Sequence, residues 1–122
     1  MSVELEIDVE GSEELKQALD RLDTEMQTHL HEQLAEWAEN VRTEAARLAP
    51  AKTGYLRSTI YARTREWQTE IGAEATYAAN VELGTSWTRA KPFLKPAVEA
   101  ELPALEHFVA EALETAATEA QL

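Results

Sequence analysis

The side chains of this 122-residue sequence that could do acid-base or metal chemistry are three histidines, His29, His31 and His107, and 20 glutamates. Their spacing argues against such use. His29 and His31 are two apart in a helical pattern, so they point about 200° away from each other and cannot grip one ion together. No H-E-x-x-H is present, and His107 stands beside Phe108 with no predicted partner. Acid pairs at helical spacing, such as Glu32 and Glu36, follow from the glutamate content alone and carry no signal for a general acid and base. Ser2, Ser12, Ser58 and Ser86 lie in no nucleophile motif, and neither a P-loop nor G-x-G-x-x-G occurs. The absence of cysteine excludes a disulfide, a thiol nucleophile and a thiolate metal site. The expectation is a protein that is not an enzyme and takes no metal or cofactor.

Charge narrows the partners. The net charge is −12, from 23 acids against 11 bases, which disfavours wrapping the outside of a nucleic acid because phosphates would be repelled. It is unevenly spread: residues 1–48 hold 13 acids and four bases, residues 49–98 four acids and seven bases, and residues 99–122 six acids and no base. Two readings stay open, solvated acidic helix faces or a basic middle that meets the acidic helices of a neighbouring copy. Arg57, Tyr61, Arg63, Arg65 and Trp67 superficially resemble a strand for single-stranded nucleic acid. The preferred reading of these residues, with Trp87 and Arg89, is a subunit contact. Acid excess with only four lysines also fits a halophilic host, since carboxylates hold water while salt screens their repulsion. No apolar run reaches the roughly 18 residues of a membrane span, and the first residues do not read as a signal peptide.

Hydrophobic periodicity predicts one domain over residues 1–122. Val3, Leu5, Ile7 and Val9 alternate with acids, giving a strand within 1–10. Gly11 ends it and Ser12 can cap a helix. Apolar residues then recur in steps of three and four from Leu15 to Leu48, predicting a helix over 12–48 about 55 Å long. So long a stripe calls for cover from a neighbour. A hairpin is predicted over 55–74, with Leu56, Ser58, Ile60 and Ala62 on one face and Gly72 marking a bulge. A short helix over 76–83 closes at Gly84, in left-handed geometry, and a C-terminal helix over 92–120 kinks or restarts near Pro103. The fold class is α+β: a long N-terminal helix and a C-terminal helix packed on a small antiparallel sheet, in the order β-α-β-β-α-α.

Three of the four prolines and three of the four glycines fall in residues 50–97, in segments that fix backbone direction. These are Ala49-Pro50 with Thr53-Gly54-Tyr55-Leu56, Ser58 and Ile60; Tyr77-Ala78 with Val81-Glu82 and Gly84-Thr85; and Pro92-Phe93-Leu94-Lys95-Pro96-Ala97. Their order and spacing resemble a family of small proteins of tailed phages and tailed archaeal viruses, the neck, tail-completion or minor tail components of the head-tail junction. Directly, the resemblance covers about half the chain. By that resemblance Pro50, Thr53, Gly54, Leu56, Tyr77, Glu82, Gly84, Thr85, Pro92, Phe93 and Pro96 are fold-motif positions. Glu82 is expected to accept from the N–H groups of the Gly84-Thr85 turn or to bind Arg89, bracing the loop before Pro92.

What the resemblance implies is a structural virion protein of the head-tail connector, made in the host cytoplasm and located at the head-tail junction. It would form a homo-oligomeric ring against head-completion, connector and tail proteins, with no membrane contact. DNA would be passing cargo, repelled by Glu106, Glu111 and Glu114 facing a channel. The competing reading is a small cytoplasmic protein-binding module that docks a partner through the long amphipathic helix.

Overall fold

The computed structural model describes residues 3–8, 17, 19–50 and 54–120. Along the chain come β1 (Val3–Asp8), α1 (Thr24–Leu48), the single turn α2 (Tyr55–Ser58), β2 (Ile60–Arg65), β3 (Gln68–Ala73), α3 (Ala78–Leu83) and α4 (Leu94–Ala120). The architecture is the expected α+β one, with α2 as an extra turn of helix. The strands form an antiparallel sheet in the order β1-β3-β2. Val3, Leu5 and Ile7 stand opposite Ala73, Ile71 and Thr69 in the ladder. Each β3 residue pairs one-for-one on both sides, so Gly72 marks no bulge. Val9, Gly11 and Ser12, read above as the end of a strand and a helix cap, lie outside the described residues.

Over the described residues, Leu19 to Leu48, the apolar stripe is not one helix; Leu15 lies outside them. Asp23 takes extended backbone (φ −67°, ψ 166°), and its carboxylate accepts from the Met26 N–H at 2.8 Å, which starts α1 at Thr24. Gln27 locks the bend by reaching the carbonyls of Leu19, Asp20 and Leu22 at 3.0 to 3.3 Å. The 25 residues of α1 span ~37 Å. That length is covered within the chain: Leu34, Trp37, Val41 and Ala45 pack with Ile60 and Ile71 of the sheet and with Leu94, Ala97 and Leu105 of α4. The argument for a neighbour from an over-long stripe therefore falls.

Leu56 does not open a strand. Gly54 turns the chain in left-handed geometry (φ 75°, ψ −13°), α2 follows, and β2 begins only at Ile60. Thr59 joins α2 to the far end of β3. Its hydroxyl donates to the Leu56 carbonyl at 2.9 Å and accepts from the Ala75 N–H at 3.1 Å, while its carbonyl accepts from Glu74 N–H at 3.2 Å. The hairpin turns over Glu66-Trp67, with Glu66 at φ 52°, the positive sign that two-residue hairpin loops need at their first central residue.

Trp67 then folds inward with Leu19, Leu22, Leu30 and Ala112 in a second, smaller core. At the other end of α1, Ala49 is extended (ψ 138°), as a residue before proline must be. The last helix runs uninterrupted through Pro103, so no restart occurs there. Leu105 and Ala112 beyond the proline, like Leu94 and Ala97 before it, are buried. Trp37 also donates its indole N–H to the Glu101 carbonyl at 2.7 Å, two residues before the proline.

Candidate functional site

The first turn of α4 poses an accounting problem. Phe93 precedes the helix, so the N–H groups of residues 93 to 96 have no partner within it. Pro96 has no N–H, which leaves three. All three are met by Glu82, 11 to 13 residues earlier: Oε1 accepts from Phe93 and Leu94, both at 2.9 Å, and Oε2 accepts from Lys95 at 3.2 Å. One carboxylate and one proline thus dispose of every orphan donor at this helix end. Glu82 is 7 % exposed and makes no ion pair among the described residues. Its charge is held by aligned N–H dipoles at the positive end of α4.

Glu82 does brace the segment after Pro92, but through these donors and not through the Gly84-Thr85 turn or Arg89. The reason lies in the chain's return path. Gly84 caps α3 at φ 76°, ψ 173°, a region open essentially to glycine, and not in the left-handed helical geometry expected of it. A Cβ there would lie 2.8 Å from the Ala90 backbone nitrogen. The two arms of the loop can touch because Gly84 has no side chain. Lys91 N–H donates to the Val81 carbonyl at 2.8 Å and closes the neck. Phe93 and Leu94, both fully buried, anchor the far side.

Between these arms the loop is fixed by its own hydrogen bonds. The Thr85 hydroxyl accepts from Trp87 N–H at 3.2 Å and Thr88 N–H at 2.9 Å, and Thr85 N–H donates to the Thr88 carbonyl at 2.9 Å. Trp87 stands at the tip, 94 % exposed. Leu83 beside the neck is 75 % exposed. Arg89, Lys91 and Lys95 are exposed around it, and no acid other than the buried Glu82 occurs between residues 75 and 98.

The structure sorts the remaining predicted positions into separate places. Tyr77 and Tyr55 bring their rings to 6.3 Å of each other on the surface, joining the first two motif segments, and Leu56 is buried beneath. Thr53 lies outside the described residues. Trp67 is not a contact residue: it is buried, tilted against His31 with ring centroids 4.2 Å apart, its indole N–H 3.4 Å from the Asp20 carboxylate. With Trp67 in the core, the basic-aromatic strand is split. Arg63 pairs with Glu74 at 3.2 Å and lies 4.1 Å over the Tyr61 ring, Arg57 reaches the Ala49 carbonyl at 3.4 Å, and Arg65 is exposed. His107, given no partner above, pairs with Glu111 at 3.1 Å.

On α1, the Arg42 guanidinium hydrogen-bonded to Glu39 holds that carboxyl below its usual range, and Arg47 does the same to Glu44. Asp23, Gln27 and Thr59 are structural residues as well, through the hydrogen bonds described above. Of the three only Asp23 had a signal, an N-capping type ahead of a helical run. Compared with protein-family models, curated proteins and solved structures, the chain matches none.

Proposed function

We propose that this chain is a structural component of the head-tail junction of a tailed virus, working as one copy in an oligomeric ring and not as an enzyme. One observation carries the reading: the segments that bear the resemblance adjoin one another in space, the second and third framing a braced loop. Tyr55 touches Tyr77 across the first two, and Glu82 ties the second to Phe93, Leu94 and Lys95 of the third. What they hold out is an aromatic tip, Trp87, in a rigid frame, a means of gripping another protein surface. A module docking through its long helix would use the apolar face of α1, which α4 and the sheet already occupy; the loop is the better contact element.

The test is deletion of the gene from the virus that carries it, followed by electron microscopy and protein mass spectrometry of the particles. Filled heads separated from tails, restored by the intact gene supplied in trans, are the expected result. Joined, infectious particles that lack the protein would overturn the proposal.

A further inference from the structure

The Trp87 loop has a complementary surface elsewhere on the same molecule. A groove between α1 and α4 is lined by both apolar and polar side chains, Met26, Leu30 and Phe108 with His29, Gln33 and Glu111. Glu25, Glu32 and Glu36 stand at −4, +3 and +7 from His29, so they form one exposed stripe on α1 next to His29, on the side away from Leu30, and Glu111 lines the groove from α4. The loop offers the opposite chemistry: a bare indole at the tip, followed along the chain by the exposed bases Arg89, Lys91 and Lys95, none of them in an ion pair among the described residues.

The two surfaces cannot meet within one chain. Leu94, where the loop delivers the chain into α4, and Ala112, which helps line the groove, are 18 residues apart on a single helix, or about 27 Å.

We infer that the partner of the Trp87 loop is a second copy of this chain, with the loop of one copy seated in the α1–α4 groove of the next. The indole packs on the half-buried Met26 and Phe108, and Arg89 and Lys91 meet Glu32 and Glu36 on the neighbouring face of α1. Two different patches make this contact, so it is heterologous and propagates head to tail, closing into a ring where the rotation permits. The inference rests on the oligomeric part of the function proposed above and gives it a contact.

Charge exchange tests it. The pair Arg89→Glu/Lys91→Glu makes the loop acidic, and Glu32→Lys/Glu36→Lys makes that face of α1 basic; all four positions are exposed. Each double variant alone then opposes like charges at every contact, whereas an equimolar mixture restores opposite charges at both contacts. Sedimentation velocity on folded protein, checked by circular dichroism in moderate salt, reads the outcome. Expected are concentration-dependent association of the parent chain, monomers for each double variant, and assembly of the mixture. Trp87→Ala should weaken association at least about tenfold.

Trp87 also reports directly. Trp37 and Trp67 are buried, so the exposed tryptophan signal is that of Trp87, and its emission should shift to the blue as copies associate. A parent chain monomeric at millimolar concentration, an unaffected Trp87→Ala variant, or a mixture that stays monomeric each overturns the inference. Failure here with the chain still required to join heads to tails removes only the contact. Successful exchange with the chain dispensable to virions removes only the virion role.

Discussion

The two long helices begin in different ways, and the difference separates local from tertiary structure. The α1 start is held by Asp23, which accepts one N–H from Met26, three residues on, and sits exposed. At α4 the holder is Glu82, which accepts three N–H groups from a segment 11 to 13 residues away and is buried. A local cap marks where a helix begins. The remote one also dictates where the intervening loop must run, because α3 and α4 cannot separate without stripping three donors of their acceptor. The helix start at α4 and the return path of the loop thus share one side chain, Glu82 of α3, whereas the α1 cap governs a single turn.

Removing the remote acceptor should break this comparison most sharply. In Glu82→Ala the three donors are left in a partly closed site, and charge-assisted bonds of this kind are worth about 1.5–3 kcal/mol each before water offers relief. A loss of roughly 3–5 kcal/mol is expected, a large share of the ~5–15 kcal/mol that holds a domain together. Glu82→Gln sharpens the point. Its amide oxygen can still serve Phe93 and Leu94, but its NH₂ would face the Lys95 N–H, so the loss should be intermediate, about 1–3 kcal/mol. Urea unfolding gives the order parent, Gln, Ala. Equal midpoints for the three would show that the carboxylate is incidental.

Gly84 tests whether the loop path matters apart from the cap. Gly84→Ala puts a side chain at φ 76° with its Cβ 2.8 Å from the Ala90 nitrogen, backbone that cannot swing aside. Strain alone is worth about 1–3 kcal/mol. The expected loss of roughly 2–3 kcal/mol should come with faster amide exchange at Lys91, whose bond to Val81 closes the neck. An unchanged denaturation midpoint would mean that the loop arms do not need to touch.

These two residues also mark how far the sequence could be read. Glu82 and Gly84 stood out by their place between Val81 and Thr85, and the loop they brace was the right one. Their partners were hidden, because Phe93 and Ala90 come near only after the chain has doubled back, and no local pattern encodes a return path. Periodicity served best where one face packs on a wide core, as at Thr69, Ile71 and Ala73. It misled where spacing survives a change of structure. Leu19, Leu22, Met26 and Leu30 keep steps of three and four across the bend at Asp23, so the stripe looks unbroken. Leu56 and Ser58 alternate like a strand while forming a turn of helix. Trp67 fits the strand alternation, yet occupies the hairpin turn and fills a second core that the N-terminal pattern did not reveal.

The smallest effect belongs to the local cap. Asp23→Ala removes one exposed acceptor at the start of α1, a change worth about 1 kcal/mol, while Asp23→Ser retains a capping oxygen and should stay within a few tenths. Position matters more than size. Met26 loses its bond partner, but Gln27 still reaches Leu19, Asp20 and Leu22, so the bend should persist and faster amide exchange should be confined to the first turn of α1. Glu82→Ala should spread exchange across the loop and into α4 at the same denaturant concentration. A loss from Asp23→Ala as large and as widespread as that from Glu82→Ala would erase the distinction, and would make the bend at residues 21–23, not the loop at 84–92, the joint that most constrains this fold.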